Sequence, residues 1–247
     1  MVYMGSKKKI RRQLLPYILR DRKPGQAYVE PFLGGSNMME IVPGANRIGN
    51  DLNYYVIEMW KALQNGWQPP MWVSKEDYMH IRRNKEKYPP QLVGFVGSCC
   101  AAFGTWFHGY AQIDGVNFAT RGHKVLLQQI QKLTDVKLYC RDYRRLDYPD
   151  NSIIYCDPPY DGVSEYDGVP DFDTDNFWPW AREMSRDHSV YVSEYKAPAY
   201  FKSICDIEVS RIFPGKPTTR VTERLFVLDD GRCDRVPILS QRNGELF

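Results

Sequence analysis

The eight residues Ile153-Ile-Tyr-Cys-Asp-Pro-Pro-Tyr160 carry the sharpest chemical signal in the chain. An apolar strand followed at once by Asp157 delivers a carboxylate to the carboxyl edge of a sheet, where open α/β folds bind ligands. Pro158 and Pro159 lack an N–H and have a fixed φ, so their carbonyls are held in a preset direction. One carboxylate and one fixed carbonyl can together accept both hydrogens of an exocyclic amine. The ring of Tyr160 can then stack on the base that carries the amine. A rigid Asp-Pro turn after a strand would read the same way in isolation, so the motifs upstream must decide.

The first of those is Glu30-Pro-Phe-Leu-Gly-Gly-Ser-Asn37. Here a strand runs into two glycines, Gly34 and Gly35, which let backbone pass close to a ligand. Asp51 closes the next strand, 17 residues after Gly34. That is similar to the spacing at which an acid holds ribose hydroxyls in nucleotide-binding folds. The dinucleotide form G-x-G-x-x-G is absent, which disfavours NAD and FAD. The six cysteines, Cys99, Cys100, Cys140, Cys156, Cys205 and Cys233, contain no C-x-x-C pair and no ligand spacing, so reduced thiols and no metal are expected. The zinc deaminase signature is missing too.

These residues need elements to hold them. With 247 residues, 43% hydrophobic and 26% charged, the chain can bury a real core and is no disordered tail or disulfide miniprotein. A net charge of +3 is too balanced to identify a nucleic-acid binder by itself. Its distribution is uneven. Met1 to Lys23 holds eight basic residues against one acid, whereas Pro149 to Phe177 holds eight acids and no Lys or Arg. Further basic groups at 82–85, 121–124 and 141–145 make a polyanionic partner plausible. Strands are predicted at 27–32, 47–52, 136–140, 152–156 and 189–194, with helices at 54–64 and 175–184. Late strands at 206–213 and 222–228 read as a hairpin. This alternation predicts an open α/β sheet. The stretch from Trp60 to Thr134 breaks the rhythm. Within it, the uncharged run Leu92 to Phe107 reads as a buried helix, too short for a membrane span. Gly109 to Lys124 reads as a glycine-turned hairpin with a basic end.

Taken together, the motifs resemble the D12-type DNA adenine methyltransferases, the DNA adenine methylase family, in family order along most of the chain. Tyr3-Met-Gly-Ser-Lys7 is similar to the N-terminal cofactor motif, Glu30 to Asn37 to the S-adenosylmethionine loop, and Asp51 to the ribose acid. Cys140-Arg-Asp-Tyr143 is similar to the acid–aromatic pair before the catalytic strand, and Asp157 to Tyr160 to the catalytic tetrapeptide. F-L-G-G-S departs modestly from F-x-G-x-G.

The resemblance implies a seven-stranded, Rossmann-like methyltransferase sheet with an inserted, mainly helical target-recognition region containing a hairpin. Residues 1–59 and 135–247 would form the catalytic domain and 60–134 the insert. It implies S-adenosyl-L-methionine as cofactor, S-adenosylhomocysteine as product, and N6 of an adenine flipped from double-stranded DNA as methyl acceptor. Asp157, Pro158, Pro159 and Tyr160 would be catalytic. Tyr3, Lys7, Glu30, Phe32, Gly34, Gly35, Ser36, Asp51, Asp142, Tyr143 and Asp157 would line the cofactor site. Asn117, Arg121 and Lys124 are candidates for DNA contact, Arg being the usual reader of guanine and Asn of adenine. No metal and no membrane are expected, and a cytoplasmic monomer, in a bacterium or a phage-infected host, is the expected setting. FHGYAQIDGVNF departs from the pattern of GATC readers, so that target does not transfer. A cytosine-N4 methyltransferase using the same amine chemistry, and a DNA-binding protein that keeps the fold without catalysis, are the alternatives.

Overall fold

The structure is a computed structural model, and it describes residues 1, 3, 5–113, 116–159, 172–211 and 219–230. Seven strands form one sheet in the order β3-β2-β1-β4-β5-β7-β6. They are β1 (Tyr28–Glu30), β2 (Arg47–Asn50), β3 (Lys137–Tyr139), β4 (Ile153–Cys156), β5 (Ser189–Glu194), β6 (Phe201–Arg211) and β7 (Thr219–Leu228). Strands β1 to β5 pair in parallel, while β7 lies antiparallel between β5 and β6. Strand order therefore reverses between β1 and β4. That is the switch point at which open sheets of this kind leave a crevice beyond their carboxyl ends.

Alternation along the strands sorts side chains between two cores. Tyr28, Ile153, Tyr155, Ile207 and Leu225 enter the larger core, together with α1 (Arg11–Ile18), α2 (Tyr54–Gln64), α3 (Lys75–Arg83), α4 (Pro90–Cys99) and α5 (Phe118–Ile130). Val29, Ile154, Cys156, Val192 and Phe226 face the smaller one, where Phe177, Trp178 and Ala181 of α6 (Thr174–Met184) cover the sheet. The result is helices on both faces of a largely parallel sheet, as in a Rossmann-like methyltransferase.

The helix over 54–64 has the bounds its spacing predicts, because Asn53 caps it by accepting from the Val56 N–H. The parallel strands fall inside their predicted ranges, and β6 and β7 do pair as a hairpin whose tip, 212–218, lies outside the described residues. Two readings change. The apolar run 92–107 is not one helix: α4 stops at Cys99, and Phe103 and Phe107 then take φ of 58° and 45°. Close packing explains the break. A Cβ at Gly94 would stand 2.1 Å from the Tyr55 carbonyl oxygen, and one at Gly97 would stand 2.6 Å from the Phe107 ring. Small residues thus let α2 and the returning loop press against α4. The segment 109–124 is not a strand hairpin either. Among the described residues it holds only the isolated bridges Ala101–Tyr110 and Ile113–Val116, and from Phe118 onward it is α5. Asn117 starts that helix by accepting from the Ala119 N–H, a local signal that outweighs the glycine turn before it.

Candidate active site

The carboxyl ends of β1, β2, β3 and β4 are tied to one another by backbone and side-chain hydrogen bonds. Asn50, at the end of β2, donates to the carbonyls of Pro31 (3.0 Å) and Arg141 (2.9 Å) and accepts from the Arg141 N–H (3.0 Å). One buried amide therefore sets the spacing of the loops that carry Phe32, Asp51 and Asp142. Beside it, Asp51 accepts from the backbone of Gly34 (2.7 Å) and Asn53 (2.9 Å). Burial pushes Asp51 above the usual carboxylate range, and those backbone donors oppose the rise.

The glycine turn is held from every side. Trp60 on α2 donates to the Gly34 carbonyl at 3.0 Å, and Gln129 on α5 donates to the carbonyls of Gly35 (2.9 Å) and Ser36 (3.1 Å). Gly34 sits at φ 45° and Ser36 at 54°. The Tyr3 ring lies against the turn so closely that a Cβ on Gly34 would fall 2.7 Å from it. Only glycine fits there. Phe32 and Tyr143 approach at 5.2 Å, and with Phe172, Phe177 and Trp180 they form an aromatic wall on the smaller-core side. Asp142 is turned toward its own loop: it caps the short turn 143–145 and pairs with Arg144 at 2.5 Å, which holds its carboxyl below the usual range.

Asp157 follows β4 directly, across the switch point from Glu30. Its Oδ1 receives the Lys7 ammonium at 2.7 Å, and Lys7 is only 3% exposed. The sequence reading assigned Lys7 to the cofactor pocket, and the structure brings it onto the candidate catalytic carboxylate, which was assigned to the same pocket. Burial raises Asp157 to about 6 against the opposing pull of Lys7, and the charge of Glu223 adds to the rise. Glu30, buried beneath, accepts from the Tyr28 hydroxyl at 2.9 Å and is pushed up to about 8, chiefly by burial and with a contribution from Asp157. Burial thus favours the protonated form of Glu30 at neutral pH. Next to Pro158, a cavity of about 400 Å³ opens beyond β4 and β5, lined also by Phe172, Trp178, Glu194, Tyr195 and Lys196. Pro158 is buried and Pro159 exposed, while Tyr160 lies outside the described residues.

Sequence reasoning missed Tyr28, Tyr195 and Glu223. Their only signal is strand alternation, which places Tyr28 with Glu30 and Tyr155 with Asp157 on one face. Asn117 is spent on capping α5 and donates to the Val73 carbonyl at 3.3 Å. Arg121 and Lys124 are exposed one helical turn apart on α5. Cys99, Cys100 and Cys156 are buried free thiols, and Cys140 and Cys205 are half-buried. No helix among the described residues is long and apolar enough to cross a membrane. Among the same residues no group of three His, Cys, Asp or Glu side chains could hold a metal ion.

Sheet order, a braced glycine turn and an acid at the switch point are consistent with a Rossmann-like methyltransferase fold. Residues 3–91 match the model of the D12 class N6 adenine-specific DNA methyltransferase family, a span that includes Tyr3, Lys7, the glycine turn and Asp51. No curated protein matches the chain.

Proposed function

We propose that the protein transfers the methyl group of S-adenosyl-L-methionine to N6 of an adenine in double-stranded DNA. The observation that carries this reading is the position of Asp157-Pro158 at the switch point, between the braced glycine turn and the 400 Å³ cavity. The donor set suits the cofactor. Asp51 and Asp142 offer acceptors for ribose hydroxyls and an adenine amine, Phe32 and Tyr143 offer rings, and Tyr3, Gly34, Gly35 and Ser36 form the turn. Asp157 offers a carboxylate to a cationic centre. S-adenosylmethionine supplies, when bound, a methyl group on a positively charged sulfur.

The remaining chemistry belongs to the chain. Adenine N6 is a poor nucleophile because its lone pair is delocalised into the ring, and in a duplex it is paired and stacked. The target base must therefore leave the helix, and the cavity beside Pro158 has room for a planar base. Asp157 and the Pro158 carbonyl accept the two amine hydrogens, which favours a pyramidal, more nucleophilic nitrogen. Their negative charge and dipole stabilise the positive charge that grows on N6. Tyr160 stacks on the base, and Asp157 need not remove a proton in the same step.

DNA is held by basic surface elsewhere. Arg121 and Lys124 on α5 lie within the target-recognition segment 60–134, which also exposes Trp72, Ile113 and Val116. Phosphate contacts from such residues make binding fall with salt. The test is incubation of the protein with labelled S-adenosylmethionine and unmethylated duplex DNA of mixed sequence, followed by nucleoside mass spectrometry. N6-methyladenine is expected. N4-methylcytosine would move the reading to the cytosine enzymes, and no methylated nucleoside would remove the enzymatic reading.

A further inference from the structure

Lys7 stands between two carboxylates. Asp157 Oδ1 is 2.7 Å from its nitrogen, and Glu223 Oε2 on β7 is 3.7 Å away. Glu223 is itself nearly buried at 7% exposure and is fixed by the Tyr195 hydroxyl, which donates to its Oε1 at 3.1 Å. Tyr195, just past β5, also lines the cavity beside Pro158. A buried glutamate is costly unless paired and hydrogen-bonded, and both of its oxygens are engaged here. The chain Tyr195–Glu223–Lys7–Asp157 thus runs from the cavity wall to the candidate catalytic acid.

We propose that Glu223 is a positioning residue for methyl transfer. It holds Lys7 from the side opposite Asp157, so that the ammonium grips one oxygen of that carboxylate, and Tyr195 locks Glu223 to the cavity wall. This rests on the methyltransferase reading above and extends it to β7, outside the matched span 3–91. Two consequences follow from charge. A lysine shared between two acids neutralises neither completely, so Asp157 keeps its capacity to accept from an amine. Without Glu223 the lysine is no longer shared between these two carboxylates and pairs more fully with Asp157, which makes Asp157 a poorer acceptor.

The groups facing Asp157 are Lys7 from the N-terminal segment, Glu30 from β1, Tyr155 from β4 and Glu223 from β7. Only Lys7 and Glu223 change their mutual pairing in the variants below.

The experiment compares the wild-type chain with Glu223→Gln, Glu223→Asp and Tyr195→Phe. Single-turnover methylation of unmethylated duplex DNA is followed from pH 5 to 9, alongside calorimetric S-adenosylmethionine binding. Glu223→Gln is expected to lower turnover about tenfold, the loss of one charge-assisted contact, with cofactor affinity changed by less than about threefold. Its acid limb moves down by about one pH unit, because the negative charge that raised Asp157 is gone. Glu223→Asp keeps that charge and therefore keeps the wild-type limb, while its shorter reach lowers turnover. Tyr195→Phe also lowers turnover, with a smaller effect, and keeps the wild-type limb because Glu223 keeps its charge. A Glu223→Gln protein with wild-type turnover and an unmoved limb would overturn the proposal. So would turnover lost only in step with thermal unfolding. A wild-type protein that methylates no nucleoside would instead defeat the reading on which it rests.

Discussion

The crevice at the switch point has two unlike banks. Over β1, β2 and β3, the polar groups are answered from within the protein: backbone N–H groups on Asp51, Asn50 across three loops, Trp60 and Gln129 on the carbonyls of the glycine turn. Over β4, β5 and β7, Asp157 and Glu223 share Lys7 beside a 400 Å³ cavity, and Glu30 at the end of β1 feels the charge of Asp157 from across the switch point. The first bank is braced so that a ligand meets a shape already formed, which limits the ordering cost of binding. On the second, burial raises Asp157 and, at the edge of β1, Glu30, a condition that clusters where chemistry is done. Binding and reaction are thus built differently within one sheet edge.

The contrast breaks most sharply at Asp157. Replacing it with Ala is expected to cost about 10²–10³ in single-turnover methyl transfer, while DNA affinity changes much less because phosphate contacts dominate it. In the wild type the active form is the carboxylate, raised by burial to about 6, so the rate is lost as pH falls through that value. A pH–rate profile with no acid limb in that range would separate Asp157 from the chemistry.

On the other bank, Asp51→Ala removes charge-assisted hydrogen bonds from the cofactor site and also frees the Gly34 N–H. Calorimetry should find S-adenosylmethionine binding about ten- to a hundredfold weaker, with single-turnover rate at saturating cofactor close to wild type. Equal loss of rate would mean that the two banks act as one. Gln129→Leu tests the bracing itself. It leaves the carbonyls of Gly35 and Ser36 without that donor. Urea unfolding is expected to report about 1–3 kcal/mol of lost stability.

The last effect, confined to high pH, concerns Glu30. Its carboxyl is raised from 4.5 to about 8 in the folded protein, so it binds a proton more tightly folded than unfolded. Its contribution to stability is full below pH 4.5 and is lost as pH rises through 8. Glu30→Gln, neutral at every pH, should match the wild type below pH 4.5 and melt higher near pH 9, where the wild type has to ionise a buried acid. A melting difference independent of pH would show that Glu30 does not hold its proton in the folded state.

What the residues alone determined is local. Apolar runs ending in Asp157 or in Gly34-Gly35, the cap at Asn53 and the periodicity of 54–64 are short-range signals, and the strands and α2 formed where those signals lie. The tetrapeptide and glycine turn could be read because their chemistry sits on consecutive residues. Tertiary structure decided whatever depends on packing between distant segments. Packing of Tyr55 and Phe107 against Gly94 and Gly97 fixed how the chain folds back on α4 after Cys99, where hydropathy would have prolonged a helix, and the Gln129 anchor on the glycine turn fixed where α5 lies. The same holds for the acid cluster. Lys7, Asp157, Tyr195 and Glu223 stand up to 216 positions apart, and only the antiparallel insertion of β7 beside β5 brings Glu223 to the lysine. Residue type says that a carboxylate can hold charge. Its neighbours and its burial, which only the fold supplies, decide whether it does.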